Sequence, residues 1–160
     1  MLGDVNEANL GLYLDETVQL GFKLSATAGL RFDYFKNSYL DKLQNNKSEN
    51  AGAAIFSPKF NLYFTQNKNL QFYLNTGKGF HSNDTRAVVP QNGLEILPAA
   101  YGSDLGVILK PAPRMILNAA LWYLWLGQEF VYVGDAGVVE PSGKTQRSGV
   151  DVSVRYQIYK

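Results

Sequence analysis

The chain has no cysteine among its 160 residues. That excludes a disulfide framework, a thiolate metal site and a thiol nucleophile, and leaves the redox compartment open. Histidine is nearly absent too: with His81 alone, no polyhistidine metal centre can be assembled within the chain. Neither sign of charge prevails, with 15 basic residues against 14 acidic, so there is no positive field to draw nucleic acid and no acidic tail. No apolar run approaches the roughly 18 residues of a membrane helix, and the opening MLGDVNEAN lacks the basic and apolar regions of a signal peptide. A helical membrane protein is thereby excluded. A membrane β-barrel is not, because alternating strands average to an ordinary hydropathy.

Aromatic residues are abundant, with ten Tyr, nine Phe and two Trp, and interfacial girdles are one place where such residues collect. The clearest pattern lies in Lys23 to Phe35. Leu24, Ala26, Ala28, Leu30, Phe32 and Tyr34 alternate with Lys23, Ser25, Thr27, Gly29, Arg31 and Asp33. A period of two held this long describes a β-strand with one apolar and one polar face. Soluble strands usually stop near five or six residues, whereas a tilted strand crossing a bilayer needs about 9–11.

The same alternation recurs along the chain. Residues 1 to 8 read as the end of a loop, and a strand follows in Asn9 to Val18, with Leu10, Leu12, Leu14 and Val18 on one face. After Phe35 a polar stretch, KNSYLDKLQNNKSENAG, reads as a long exposed loop. Ala54 to Thr65 is the next strand, then Leu70 to Asn75 after an Asn/Lys turn at 66–69. A second long connection runs from about Gly79 to Leu97. Strands follow at Ala99 to Lys110 and Arg114 to Leu126, hinged at Pro111-Ala112-Pro113, where proline cannot extend a ladder. In the second of these, Leu117, Ala119, Leu121, Tyr123 and Trp125 are assigned outward. A third long connection, with strand extensions at both ends, leads to a last strand in which Val150, Val152, Val154, Tyr156 and Ile158 alternate with polar residues.

Seven long antiparallel strands joined alternately by tight turns and long loops form an all-β, up-and-down arrangement suited to a transmembrane barrel. Charged residues near mid-strand, Arg31, Asp33, Asp151 and Arg155 among them, suit a wet lumen better than a dry core. Seven strands leave two open edges, so residues 1–160 are expected to be part of a larger barrel. His81, Asp84 and Arg86, in a Gly-flanked loop, are candidate ligand-binding residues. Trp122 and Trp125, with Phe130 and Tyr132, are assigned to an interfacial belt. Gly143-Lys144-Thr145 lacks the spacing of a phosphate loop, since position 138 is Val138. No paired carboxylates, Ser/His/Asp set or metal-ligand spacing stands out, so no catalytic residue, metal or cofactor is expected.

Several stretches resemble the barrel of TonB-dependent outer-membrane receptors. They are Gly77 to Arg86 (GKGFHSNDTR), Leu97 to Gly102 (LPAAYG), Gln128 to Asp135 (QEFVYVGD) and Arg147 to Asp151 (RSGVD), with Gly29 to Asp33 (GLRFD) similar to another recurrent barrel strand. The resemblance implies a barrel of roughly 22 strands closed by a plug, placed in the outer membrane of a Gram-negative cell, which takes up a scarce ligand such as a metal chelate with energy relayed by TonB. Under that resemblance the chain is an internal slice of about a third of the barrel, without plug or TonB box. Its expected partners are outer-membrane lipid, the remaining strands and plug, a small-molecule ligand, and TonB only through the plug; nucleic acid is not expected. A self-contained small β-barrel, binding an apolar ligand or a protein and not an enzyme, is the competing reading.

Overall fold

The computed structural model describes residues 2–43, 47–89, 96–133 and 138–158. Seven strands run in chain order: β1 (Gly3–Gln19), β2 (Leu24–Asp41), β3 (Lys47–Asn67), β4 (Leu70–Phe80), β5 (Ala99–Ala112), β6 (Met115–Val133) and β7 (Val138–Tyr156), with a single helical turn, α1 (Thr85–Val88), between β4 and β5. Each strand pairs antiparallel with the next, giving one sheet of order β1-β2-β3-β4-β5-β6-β7 with open edges at β1 and β7. Tight connections close β1–β2, β3–β4 and β5–β6 at one rim. Of the three long connections that the alternation implies at the other, the β4–β5 one is long, whereas β2 and β3 pair out to Asp41↔Lys47 and β6 and β7 out to Val133↔Val138, where the sequence pattern implies long loops.

Register fixes the two faces. Leu10, Leu12 and Leu14 on β1 stand opposite Tyr34, Phe32 and Leu30 on β2, which stand opposite Ala54, Phe56 and Pro58 on β3. The row continues through Leu74, Leu105, Leu121 and Val150. Most of these side chains are exposed, Leu14 to 78%, as is Val152 on the same face, to 70%, so an apolar surface runs across all seven strands with nothing over it among the described residues. From Leu24 to Tyr34 the outward residues of β2 are apolar or aromatic; beyond them stand Lys36 and Ser38. Ten steps at about 3.3 Å each, tilted about 45°, give a band roughly 23 Å tall, close to the height of a bilayer's apolar zone. Glu16, opposite Ala28, is the one charge in this row on β1. Aromatic pairs mark the band: Phe32 and Phe56 with ring centroids 4.9 Å apart, Tyr101 and Trp125 at 5.4 Å.

The strands extend further than the sequence reading placed them. Residues 3–8 belong to β1, and most of the stretch read as a long loop after Phe35 is ladder, with Lys36↔Gly52 through Asp41↔Lys47 in register. The backbone continues to pair because Asn, Ser and Tyr side chains do not interrupt a ladder; loss of apolar alternation marks where the band ends, not where the strand ends. β5 likewise runs through Pro111, with a register shift between Leu109 and Ala112 that accommodates the missing donor. The assignments on β6 hold: Leu117, Ala119, Leu121, Tyr123 and Trp125 share the apolar face. Trp122 does not join the belt. It faces the opposite side, in register with Asp104 and with Gly149, whose absent side chain leaves room for the indole. The side chains of Phe130 and Tyr132 lie outside the described residues.

Burial is concentrated on the polar face. Tyr39 of β2 and Ile55 of β3 pack with Val88, Val89, Ile96 and Leu97 of the second long connection, flanked by Phe35, Phe80 and Ala99. That connection folds back over the upper half of β2 and β3. Removing each such side chain from water contributes about 1.5–3 kcal/mol, enough together to hold the segment down.

Candidate functional site

The polar face is built by the odd residues of β1, β2, β3, β4 and β7 and the even residues of β5 and β6. All four residues expected there lie on it: Arg31 and Asp33 on β2, Asp151 and Arg155 on β7. Arg31 and Asp33 are two apart on one strand, so their side chains are neighbours. The guanidinium donates from Nε to Asp33 Oδ2 at 2.7 Å and from Nη2 to Oδ1 at 2.7 Å, a two-pronged pair with Asp33 only 2% exposed. Gly11 of β1 sits opposite Asp33, and a Cβ there would stand 2.8 Å from both Arg31 Nη2 and Asp33 Oδ1. Glycine leaves the floor open for the fork.

A second pair follows the same logic. Lys59 of β3 reaches across β2 to Asp15 of β1, Nζ to Oδ2 at 3.0 Å, passing over Gly29, where a Cβ would meet Lys59 Cε at 2.5 Å. Two glycines thus let two ion pairs lie flat on the sheet. Asp151 and Arg155 are four residues apart and do not meet each other. Asp151 instead shares a recess with Asp104, Trp122, Tyr63, Tyr73 and Asn118, where the Tyr73 hydroxyl donates to Asn118 Oδ1 at 3.2 Å.

Of the three loop residues, the structure brings two together. Asp84 caps α1, accepting from the Arg86 backbone N–H at 2.9 Å, and its carboxylate also takes the Arg86 guanidinium, with Nη2 to Oδ2 at 2.5 Å. The Arg86 hydrogen bond is the largest influence on Asp84 and holds its carboxyl below the usual range, against a smaller opposing effect of burial. His81 is exposed and stands outside the cavity that Asp84 and Arg86 share with Ser82, Asn83 and Glu7. What ties the loop to the wall is Thr85, 1% exposed, whose hydroxyl donates to the Glu7 carboxylate of β1. Among the described residues no cluster of three or more His, Cys, Asp or Glu could hold a metal ion.

Four participants were not legible in the sequence. Thr85 and Glu7 join elements 78 residues apart, which no local pattern encodes. Lys78 and Phe80 fall by parity on the apolar face. The β3–β4 ladder ends at Lys59↔Gly77, however, and past it β4 pairs with β5 alone, through Lys78↔Tyr101 to Phe80↔Ala99. Phe80 turns to pack edge-on against Phe35 of the polar face, with centroids 5.7 Å apart. The glycines at 77 and 79 were the available signal.

A sheet of seven long strands in sequence order, apolar on one side and polar on the other, is the wall of a membrane-type β-barrel. The chain belongs to the TonB-dependent receptor-like β-barrel family, whose model matches residues 2–160. Solved structures agree on the fold. The ferric citrate transporter FecA in its unliganded form superposes with a TM-score of 0.80 at 19% identity, over 95% of this chain and 23% of that one. The ferric-catecholate import receptor Fiu from E. coli K12 gives 0.75 at 15% identity, over 98% and 26%. The ferric yersiniabactin uptake receptor FyuA from Yersinia pestis gives 0.76 at 18%, over 98% and 25%. The chain therefore spans about a quarter of the length of these receptors. A comparison with curated proteins gives no match.

Proposed function

We propose that residues 1–160 form part of the barrel wall of a TonB-dependent outer-membrane receptor in a Gram-negative cell, about seven of its roughly 22 strands. The receptor imports a small, scarce ligand, a metal chelate being the class that the solved neighbours carry. The apolar face meets outer-membrane lipid; the polar face, with Arg31, Asp33, Asp151 and Arg155, lines the lumen. Asp84 and Arg86 stiffen a loop at the ligand's entry, beside the exposed His81. Energy comes from TonB through the receptor's plug, and the wall does no covalent chemistry.

The observation that carries this reading is the pair of unpaired edges, β1 and β7, on a sheet whose apolar face is uncovered. Neither a soluble barrel nor a closed small pore leaves both open; a larger barrel pairs both. Expression of the chain alone in aqueous buffer is the test. Aggregation that detergent relieves, with no cooperative melt in water, is expected. A soluble monomer with a cooperative melt would sink the membrane reading and favour a self-contained small barrel.

A further inference from the structure

On the polar face beside the two glycine gaps lies a recess of about 460 Å³, within the size range of small-ligand pockets, about 300–1,000 Å³. It is bounded by Tyr13, Asp15, Arg31, Ser57, Lys59 and Lys78, with Leu14, Leu30 and Phe80 adding apolar surface. Its donors are only partly engaged. Arg31 commits Nε and one N–H of Nη2 to Asp33, which leaves Nη1 open. Lys59 gives one of its three N–H groups to Asp15. Lys78 makes no ion pair among the described residues. Three cations face two carboxylates, Asp15 and Asp33, so one positive charge is in excess.

A second observation is independent of charge. Ser57 is 8% exposed, and its Oγ has no hydrogen-bond partner. A buried hydroxyl without a partner is unfavourable, and this one borders a recess rimmed with open cationic donors. An oxygen-rich anion would accept from Lys78, Lys59, Arg31 Nη1 and Ser57 together.

We propose that this recess is a subsite for an anionic oxygen group of the transported ligand, a carboxylate or a phosphate. The inference rests on the reading above that the polar face lines the lumen. Its test is calorimetric titration of the detergent-solubilised receptor carrying this chain, with citrate and, separately, inorganic phosphate as probes. Saturable binding of citrate or phosphate is expected, weakening as salt is raised; the tighter of the two names the preferred group. Lys78→Gln should weaken it about tenfold or more, as loss of a hydrogen bond to a charged group does, and Lys78→Arg should restore most of it. Ser57→Ala should weaken binding while leaving the urea midpoint unchanged or raised, since the hydroxyl bonds nothing in the free protein. Lys110→Gln, on β5 and outside the recess, should leave binding unchanged.

Absence of saturable heat from both probes, in a receptor that keeps its heat-modifiable mobility, would overturn the subsite and leave the barrel standing. Equal weakening by Lys110→Gln would overturn it as well. Citrate binding only after removal of the plug would assign the recess to a plug carboxylate and reject the ligand. Loss of heat-modifiable mobility in the unsubstituted receptor would overturn the barrel reading and the subsite with it.

Discussion

Gly11 and Asp33 face each other across β1 and β2, and the volume Gly11 leaves empty is where Asp33 holds Arg31. The requirement for glycine is spatial, because the fork lies against the sheet instead of standing off it. Gly11→Val should therefore lower stability by about 1–3 kcal/mol, the usual range for an overfilled site. The urea midpoint of the refolded barrel in lipid reads this. Val at Gly21, whose surroundings are open, is the matched control and should cost much less.

The second long connection is held down by buried apolar side chains and by the hydrogen bond from Thr85 to Glu7. Val88, fully buried in the cluster, cannot accept a charge without leaving it. Val88→Asp should release the segment and raise amide exchange at 83–89 at least tenfold while β2 and β3 remain protected. Thr85→Val removes the bond to Glu7 and should give a smaller increase in the same amides. Unchanged exchange in both variants would contradict the packing described.

The pH response of α1 follows from Asp84. Arg86 holds the carboxyl's folded-state value below its ordinary one, so its stabilisation is complete above the ordinary carboxylate range and is lost as pH falls through the depressed value. Protection of the α1 amides, corrected for intrinsic exchange, should be flat from pH 7 to 5 and fall below about pH 4. Asp84→Asn should remove that acid-side fall. The effect is modest because both side chains are about half exposed.

Much of this architecture was legible in the sequence because a strand's side chains alternate without regard to what lies beyond them. The outward row on β2, the outward row on β7 and the polar-face position of Arg31 all follow from counting by twos. Counting failed where a second force took over. Tyr39 and Ile55 looked like loop and strand-end residues, yet they are core, because a segment more than thirty positions away folds onto them. Trp122 has the composition of a belt residue but the parity of the polar face. Phe80 has outward parity but an inward position, because β4 has left β3 by then and both Phe80 and its β5 partner Ala99 pack on the buried cluster. The pairing of Asp84 with Arg86 was local enough to anticipate; the exclusion of His81 from it depended on where the chain turns next.

The assignment of faces is tested most directly by single-cysteine quenching, which the cysteine-free sequence makes clean. Neighbouring positions on three strands, Leu105 and Asp104, Leu121 and Ala120, Val152 and Asp151, are replaced one at a time by cysteine and carry a fluorophore in vesicles. The account predicts quenching by brominated acyl chains at 105, 121 and 152, and by aqueous iodide at 104, 120 and 151. Iodide quenching at all six, or lipid quenching that does not alternate, would contradict it.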